Sequence, residues 1–346
     1  MLSLLNTIFT NTLRQGSTLI GSLLSKLKAR STYFENQTCT KATLKEFEAI
    51  PSVIIRPFIT TWTTAVDGET ITIPTNGSGY DYTVKTSDGQ KFENVIGNKT
   101  ITFATAGDYD VSITGAFPTI RFNDEGDKLK IIDIKQWGNI AWTSLNKAFK
   151  GCSNLVGTYT DAPDLSGVII LSETFRQCSA FTGKVSNWDV SNVTTMGAMF
   201  RSCTVFNSDC SSWDTSNVVY MNSMFQSARA FNQDISTWNV SNVITMSLMF
   251  NTTVDFDQNL GSWDISIVSA FSNFKTVGAL SVANYDALLI GWVANLDAYV
   301  AAGNTYSLTP TIGFGFSKYT GGGAAEAARA KLEATYSWTI TDSGEA

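Results

Sequence analysis

The chain has 346 residues, of which 43% are hydrophobic and 16% are charged, and its formal net charge is −6. This length and apolar fraction predict folded domains with a substantial core. The acidic balance disfavours a nucleic-acid partner, and the absence of histidine removes His-based catalytic triads, His general bases and nearly all familiar zinc sites.

Residues 1–50 place leucine, isoleucine and phenylalanine at near-helical spacing, with basic residues off that stripe. The pattern predicts an N-terminal amphipathic helical segment, broken near Gly16, that attaches the chain to protein partners in a larger assembly. A helix lying on a membrane surface is the alternative. The first charge is Arg14, which does not fit a signal peptide, and no run reaches the roughly 20 apolar residues of a membrane span.

Residues 51–124 consist of short β-rich runs separated by turn signals, such as the TSDG sequence at residues 86–89. Runs of this length and spacing predict a small β-sandwich. The segment resembles the immunoglobulin-like PKD-type modules, in which the usual turn is WGDG. We therefore expect residues 51–124 to form a spacer domain.

Aromatic residues and methionines then recur every 25 residues. The columns are Trp188, Trp213, Trp238 and Trp263; Phe175, Phe200, Phe225 and Phe250; Phe181, Phe206, Phe231 and Phe256; and Met196, Met221 and Met246. A fixed period of this size is typical of a solenoid, in which each unit buries its apolar side against its neighbours.

Within one repeat, the apolar residues between Val193 and Cys203 fall at spacings that predict one face of a short helix. Ser191 precedes this stretch as a candidate N-cap. The segment at residues 231–238, FNQDISTW, predicts a brief strand that stacks on its copies at about 4.8 Å.

The sequences WDVSNVTTM (188–196) and FNQDISTW (231–238) resemble the BspA-like surface-protein repeat, a relative of the leucine-rich repeats. The resemblance extends over about residues 128–343, because the lead-in and the closing NYDALLIGW (284–292) are also similar. It implies a non-catalytic surface protein that binds host cells, matrix or partner proteins. Pro163 in the tryptophan column and an insertion at residues 293–315 depart from the pattern.

The expected fold is therefore multidomain α+β. We predict the helical segment at 1–50, the PKD or immunoglobulin-like β-sandwich at 51–124, and a leucine-rich-repeat-like α/β solenoid at 125–346. The solenoid would have repeats at about 130–275 and a C-terminal cap at 276–346.

Two columns of acids and amides run through the repeats: Asp189, Asp214, Asn239 and Asp264, and Asp209, Asp234 and Asn259. Stacked carboxylates can bind Ca²⁺, but such columns more often cap turns through bonds to the backbone. The column of Cys152, Cys178 and Cys203 continues with Ala228 and Thr253. A position that accepts Ala and Thr indicates small, buried side chains and hence free thiols.

Binding residues are expected where equivalent positions differ between repeats. The candidate surface comprises Thr195, Tyr220 and Thr245; Arg201, Gln226 and Asn251; and Tyr299, Tyr306 and Phe314 from the insertion. The alternative for these three aromatic residues is that they only seal the open apolar end of the last repeat. No catalytic, cofactor-binding or metal-binding residue is predicted, because every prominent acid belongs to a periodic column. A glycan-acting enzyme is a distant alternative, since two carboxylates suffice for glycoside hydrolysis.

We expect a non-enzymatic protein that recognises a host surface protein or glycan through the solenoid. The outward-facing composition without an export signal favours a phage virion component, such as a decoration, spike or fibre, located at the virion surface. The alternative is an adhesin on the bacterial cell surface or in the extracellular medium. We further expect a homo-oligomer or a particle component, without nucleic acid and without a membrane partner.

Overall fold

A computed structural model describes residues 55–346, so the amphipathic helices predicted for residues 1–50 lie outside the described part of the chain. The described residues form strands β1 Phe58–Thr64, β2 Thr70–Ile73, β3 Asp81–Thr86, β4 Lys91–Val95, β5 Lys99–Thr102, β6 Gly107–Ala116, β7 Ile131–Gln136, β8 Val156–Gly157, β9 Thr311–Gly313 and β10 Thr339–Thr341. The helices are α1 Val282–Ala301 and α2 Ala324–Ala334.

The N-terminal part is a six-stranded sheet in the order β4-β3-β6-β1-β7-β8, accompanied by the two-stranded sheet β2-β5. Side chains alternate along β3, where Tyr82 and Val84 are buried and the residues between them are not, because successive residues of a strand face opposite sides. Trp62 of β1 and Ile71 of β2 are fully buried. Both sheets therefore contribute to one apolar core.

Strand β7 continues this sheet beyond residue 124, the predicted end of the sandwich. It pairs antiparallel with β1 on one side and parallel with β8 on the other, where Asp133 lies opposite Val156. The buried apolar residues of the sheets and the repeats also form one continuous cluster. The first repeat is thus joined to the sheet by backbone pairing as well as by packing.

The prediction of a leucine-rich-repeat-like α/β solenoid, and with it the α+β class, is wrong. The described chain is rich in sheet and turn, and its two helices both lie after residue 276. Between β8 and α1, a stretch described throughout, each repeat instead forms consecutive turns and one isolated parallel bridge.

The predicted helix between Val193 and Cys203 is absent because two of its residues have left-handed backbone conformations. Ala198 has a φ of 55° and Ser202 a φ of 62°, and an α-helix requires negative φ at every residue. The N–H of Met199 donates to the carbonyl of Met196 at 3.1 Å, which closes a turn of β type. Ser191 is consequently not a helix N-cap.

Between Met196 and Ser202, alternate N–H groups donate to carbonyls of the next repeat. For one pair of repeats these bonds are Met196 to Tyr220 (2.9 Å), Ala198 to Asn222 (2.9 Å), Phe200 to Met224 (3.0 Å) and Ser202 to Gln226 (2.8 Å). The strand predicted at 231–238 is wrong as well, since the parallel bridges pass instead through Thr195, Tyr220 and Thr245.

Aromatic rings fill the interior of the repeats. Phe200 stacks on Phe206 of its own repeat with ring centroids 3.9 Å apart, and on Phe175 and Phe225 of the neighbouring repeats at 5.9 and 5.8 Å. The indole N–H of Trp213 donates to the carbonyl of Val185 at 2.8 Å. The two phenylalanine columns are thus continuous stacks in the core, and the tryptophan column is stacked from Trp213 to Trp263.

The C-terminal residues close the end of the stack. Ser281 caps α1 by accepting a hydrogen bond from the N–H of Asn284 at 3.4 Å, and Leu288, Trp292 and Leu296 lie on the buried face of the helix. The indole of Trp292 donates to the carbonyl of Leu260 at 2.8 Å, which continues the tryptophan bonding of the repeats. Within residues 55–346, neither helix is long and apolar enough to span a bilayer.

Candidate binding surface on the repeats

The first candidate column, here called the bridge column, consists of Thr195, Tyr220 and Thr245. Parallel backbone bridges join these residues to one another, and Thr245 continues to Ala270. Tyr220 is 45% exposed, whereas the two threonines are half-buried. The structure therefore brings the three residues together, with one exposed aromatic ring between two short polar side chains.

The second candidate column, here called the arginine–amide column, also lies at one position of successive repeats. It consists of Arg176, Arg201, Gln226, Asn251 and Thr276. Gln226 Nε2 donates to Asn251 Oδ1 at 3.5 Å, and Asn251 Nδ2 donates to Thr276 Oγ1 at 2.6 Å. Arg201, Gln226 and Asn251 were predicted from the variation between repeats, whereas Arg176 was missed.

The N-terminal end of this column is basic. Glu173 accepts contacts from Lys150 and Arg176 at 2.8 Å each and from Lys147 at 3.7 Å. Burial raises the pKa of Glu173, but the hydrogen bonds from Lys150 and Arg176 outweigh it, and the pKa lies below its usual value. One carboxylate is thus shared by three cations.

Arg201 adds a further cation beside this cluster. Among the described residues, no acidic side chain forms an ion pair with it. Burial lowers the pKa of Arg201, the positive charge of Arg176 lowers it further, and the negative charge of Glu173 opposes the shift without reversing it. Next to it in the column, Arg176 Nε and Gln226 Oε1 are buried atoms without a hydrogen-bond partner. The column therefore has unused donors and an unused acceptor.

The three aromatic residues predicted from the insertion do not form a common surface. Tyr299 is half-buried on α1, and Tyr306 accepts a hydrogen bond from the indole of Trp338 at 2.9 Å. Phe314 is 1% exposed, so its assignment to a binding surface is wrong. These residues mainly seal the end of the repeats, where apolar side chains would otherwise contact water.

An exposed aromatic residue of the cap was missed. Phe316 is 68% exposed, and its N–H donates to the carbonyl of Gly278 at 3.1 Å. Gly315 between the two phenylalanines has a φ of 60°, which turns the chain so that Phe314 points inward and Phe316 outward. The Gly-Phe-Gly-Phe sequence at residues 313–316 was the available signal.

The acidic columns form local turns. Asp189 Oδ1 accepts the N–H of Ser191 at 3.1 Å and its hydroxyl at 2.6 Å. Equivalent bonds to the backbone N–H two residues later are made by Asp164, Asp209, Asp214, Asp234, Asn239, Asn259 and Asp264. The turn-capping interpretation is confirmed, and residues 55–346 contain no group of three or more His, Cys, Asp or Glu side chains arranged for a metal.

The cysteine column is buried and unpaired. Cys203 Sγ donates to the carbonyl of Phe175 at 2.9 Å, and Thr253 Oγ1 donates to that of Phe225 at 2.6 Å. Burial raises the pKa of the Cys203 thiol, so it stays protonated and unreactive. The predicted free thiols are confirmed for the cysteines of the described chain, while Cys39 lies outside it.

An open groove of about 570 Å³ lies on the six-stranded sheet and is lined by acidic, hydroxyl and apolar residues. Lys135 Nζ contacts both carboxylate oxygens of Asp110 at 2.7 and 2.9 Å. Burial raises the pKa of Asp110, but the bonds from Lys135 and Thr61 reverse the shift and hold it below the usual value. Asp110 is therefore ionised, unlike the protonated general acid of a glycosidase.

Residues 143–263 match a family described as Mycoplasma protein of unknown function, DUF285. The match covers most of the repeats and, of the two sheets before them, only strand β8. This family is associated with BspA-like repeat surface proteins, whereas neither a leucine-rich-repeat nor a PKD module is matched. A comparison with curated proteins and one with solved structures find no match.

Proposed function

We propose that the protein is a non-catalytic binding protein displayed on a surface, and that the exposed columns of its repeats form the recognition face. One observation supports this most directly. The side chains that keep one chemical type, such as Trp213 and the turn-capping Asp214, are used in the core or in turn capping, whereas exposed Tyr220 has threonines as its equivalents and half-buried Arg201 is followed by Gln226 and Asn251. A rigid stack with variable outer positions is the form in which repeat proteins bind partners.

The finer proposal places this face on a phage virion as a decoration, spike or fibre component, with residues 1–50 as the attachment segment. Its support is the low charge content, the hydroxyl-rich and amide-rich surface, and the association of the matched family with surface proteins. A bacterial cell-surface adhesin is the second candidate. Immunogold labelling with antibodies against the full chain distinguishes particles from cell envelopes, and cytoplasmic labelling alone contradicts both.

Recognition is tested with full-length chains, because a cut at residue 124 would remove β7 from its sheet. Tyr220→Ser is expected to reduce competition for adhesion to host bacteria at least several-fold. Ile96→Ser is the matched control, since Ile96 is 78% exposed on the sheet side of the molecule. Equal competition by both variants and the wild type would place recognition elsewhere.

Deletion of residues 1–50 tests attachment separately. The truncated chain is expected to keep the thermal transition of the full chain but to be missing from purified particles. Normal incorporation contradicts the attachment role. Release of reducing sugars from host glycans by the wild type, abolished by Asp110→Asn, would instead favour the enzymatic alternative.

A further inference from the structure

The arginine–amide column combines an excess of positive charge with neutral hydrogen-bonding groups. Lys147, Lys150 and Arg176 contact a single carboxylate, that of Glu173, and Arg201 is attracted by the charge of Glu173 without forming an ion pair with it. A guanidinium binds a carboxylate through paired N–H donors in one plane. The basic end of the column is therefore complementary to one carboxylate of a ligand.

The rest of the column requires a ligand that both donates and accepts hydrogen bonds. Gln226 and Asn251 are half-buried amides, and an amide both donates and accepts hydrogen bonds. A ligand that supplies donors and acceptors therefore satisfies them better than one that supplies acceptors alone. A hydroxyl group both donates and accepts, whereas an ionised acidic side chain only accepts.

The charge of the whole molecule limits the ligand further. The net charge of −6 repels a densely charged polyanion at long range. A mainly neutral ligand with isolated carboxylates avoids this repulsion and still pairs with Arg201. The repeats also place equivalent side chains at regular steps, because backbone N–H groups of one repeat donate to the next over 2.7 to 3.1 Å.

We propose that the arginine–amide column binds an acidic oligosaccharide, with a sugar carboxylate at Arg201 and sugar hydroxyls at Gln226 and Asn251. This inference rests on the proposed function and names the ligand class for the recognition face. A single carboxylated sugar offers a charge and several hydroxyls on one ring, which fits neighbouring side chains of successive repeats. Tyr220, exposed on the repeat that carries Gln226, is a further contact for the face of a sugar ring.

The test uses the full chain with sialyllactose and trigalacturonate as carboxylated probes. Their neutral counterparts are lactose and the methyl ester of trigalacturonate. We expect saturation-transfer NMR and calorimetry to detect binding of at least one carboxylated probe. Its affinity should decrease as the salt concentration rises. It should also be roughly tenfold or more higher than the affinity of the neutral counterpart. Equal binding of charged and neutral probes, or binding of neither, overturns the proposal.

Arg201→Gln is expected to lower the affinity for the bound probe by roughly tenfold or more, since it removes a charge-assisted hydrogen bond. Arg229→Gln is the matched control, because Arg229 is an exposed arginine of the same stack at another position. Thermal transitions of both variants establish that they fold. Equal loss in the two variants shows only a general charge effect and contradicts the assigned site.

Two further measurements separate the ligand class from the proposed function. An oligoglutamate peptide that binds as tightly as the best carboxylated sugar overturns the oligosaccharide assignment. In the adhesion assay, loss with Tyr220→Ser but not with Arg201→Gln leaves the recognition face standing and removes the acidic sugar from it. Adhesion that is insensitive to both substitutions contradicts both proposals.

Discussion

The six-stranded sheet and the stacked repeats both align chain segments through backbone hydrogen bonds, but they fix the alignment in different ways. Strand β1 is paired with β6 along its whole length, from Phe58 opposite Ile113 to Thr64 opposite Gly107. Adjacent repeats share one isolated bridge, such as Thr195 with Tyr220, and a short series of backbone bonds between Met196 and Ser202 of one repeat and the next repeat. The sheet is thus aligned by its backbone ladder, whereas the repeats add further contacts to a short ladder.

Those additional contacts are bonds from side chains of one repeat to the backbone of the repeat before it. The indole of Trp238 donates to the carbonyl of Cys210 at 2.9 Å, and Asn242 Nδ2 donates to that of Ser216 at 2.6 Å. Such bonds depend on residue identity, whereas ladder bonds do not. This difference explains why the repeats preserve particular residues every 25 positions and the sheet preserves only alternation.

Trp213→Ala tests whether the tryptophan column stabilises the repeats. Trp213 is 4% exposed, and its indole satisfies the carbonyl of Val185. Truncation leaves a cavity and removes this hydrogen bond, although the carbonyl still accepts the N–H of Trp188 at 3.1 Å, so the free energy of unfolding should fall by roughly 3–5 kcal/mol. Urea denaturation monitored by circular dichroism measures the change.

The milder Trp213→Phe variant separates the two contributions, since it fills most of the cavity but lacks the N–H donor. It should lose less stability than Trp213→Ala. Unchanged stability in Trp213→Ala, together with lost adhesion, would mean that the tryptophans form a binding surface and not a core.

Substitution of Lys275 tests how the stack of phenylalanine rings ends. It stands 25 residues after Phe250, where the period would place another phenylalanine, and it is 1% exposed with Nζ 3.0 Å from the carbonyl of Thr253. Burial lowers the pKa of Lys275 to about 8 from 10.5. Below pH 8 the native state therefore holds a buried charge that the unfolded chain keeps in water.

Between about pH 8 and 10.5 the native lysine loses its proton while the unfolded one retains it, so this residue adds stability as pH rises. The contribution is at most about 3 kcal/mol. The gain in unfolding free energy of Lys275→Met over wild type should thus be largest at pH 7 and should disappear by pH 10.5. Comparison with wild type cancels the buried tyrosines and thiols, and a pH-independent difference contradicts the assignment.

Substitution of Asp189 tests whether the acidic columns stabilise the protein only by capping local turns. Asp189→Ala removes the acceptor for both groups of Ser191 and should cost about 1 kcal/mol of unfolding free energy. Asp189→Asn should change stability by less than about 0.5 kcal/mol, because Asn239 makes the same bonds. Thermal unfolding with and without a calcium chelator measures both variants. Chelator-dependent stability of the wild type would indicate bound calcium instead.

Ser202 gives the smallest expected effect and tests the turns that replace the predicted helix. Its φ of 62° is disfavoured for a residue with a Cβ and unrestricted for glycine. Ser202→Gly should raise the free energy of unfolding by about 0.5–1 kcal/mol. Ser202→Ala is the control, and an equal or greater gain in that variant would show that backbone strain is not the cause.

The same contrast explains what could be predicted from the sequence. The 25-residue period identified the core of the repeats, because Trp213, Phe225 and Met246 recur in columns that the structure buries. The local conformation was mispredicted, since apolar residues near Val193 at helical spacing also fit consecutive turns. The left-handed residue Ala198 is not glycine, so nothing in the sequence marked the turn.

The candidate site was predicted in part for a similar reason. Variation between repeats identified Arg201 and Tyr220, which the structure places outside the core. Comparison of the repeats gave no information beyond the last repeat. In that region Phe314 was mistaken for an exposed residue and Phe316 was overlooked. The continuation of the sheet into β7 was hidden as well, because that segment resembles the lead-in of a repeat.

The 25-residue period of the repeats has a consequence for how this gene can change. An insertion or deletion of one whole repeat keeps every bond of the type that Asn217 makes to Ser191. The stack can therefore lengthen or shorten without requiring a new interface. A single-residue insertion shifts the columns between Trp188 and Trp263 out of phase. Unequal recombination in whole units therefore gives a simple route to variants of different reach.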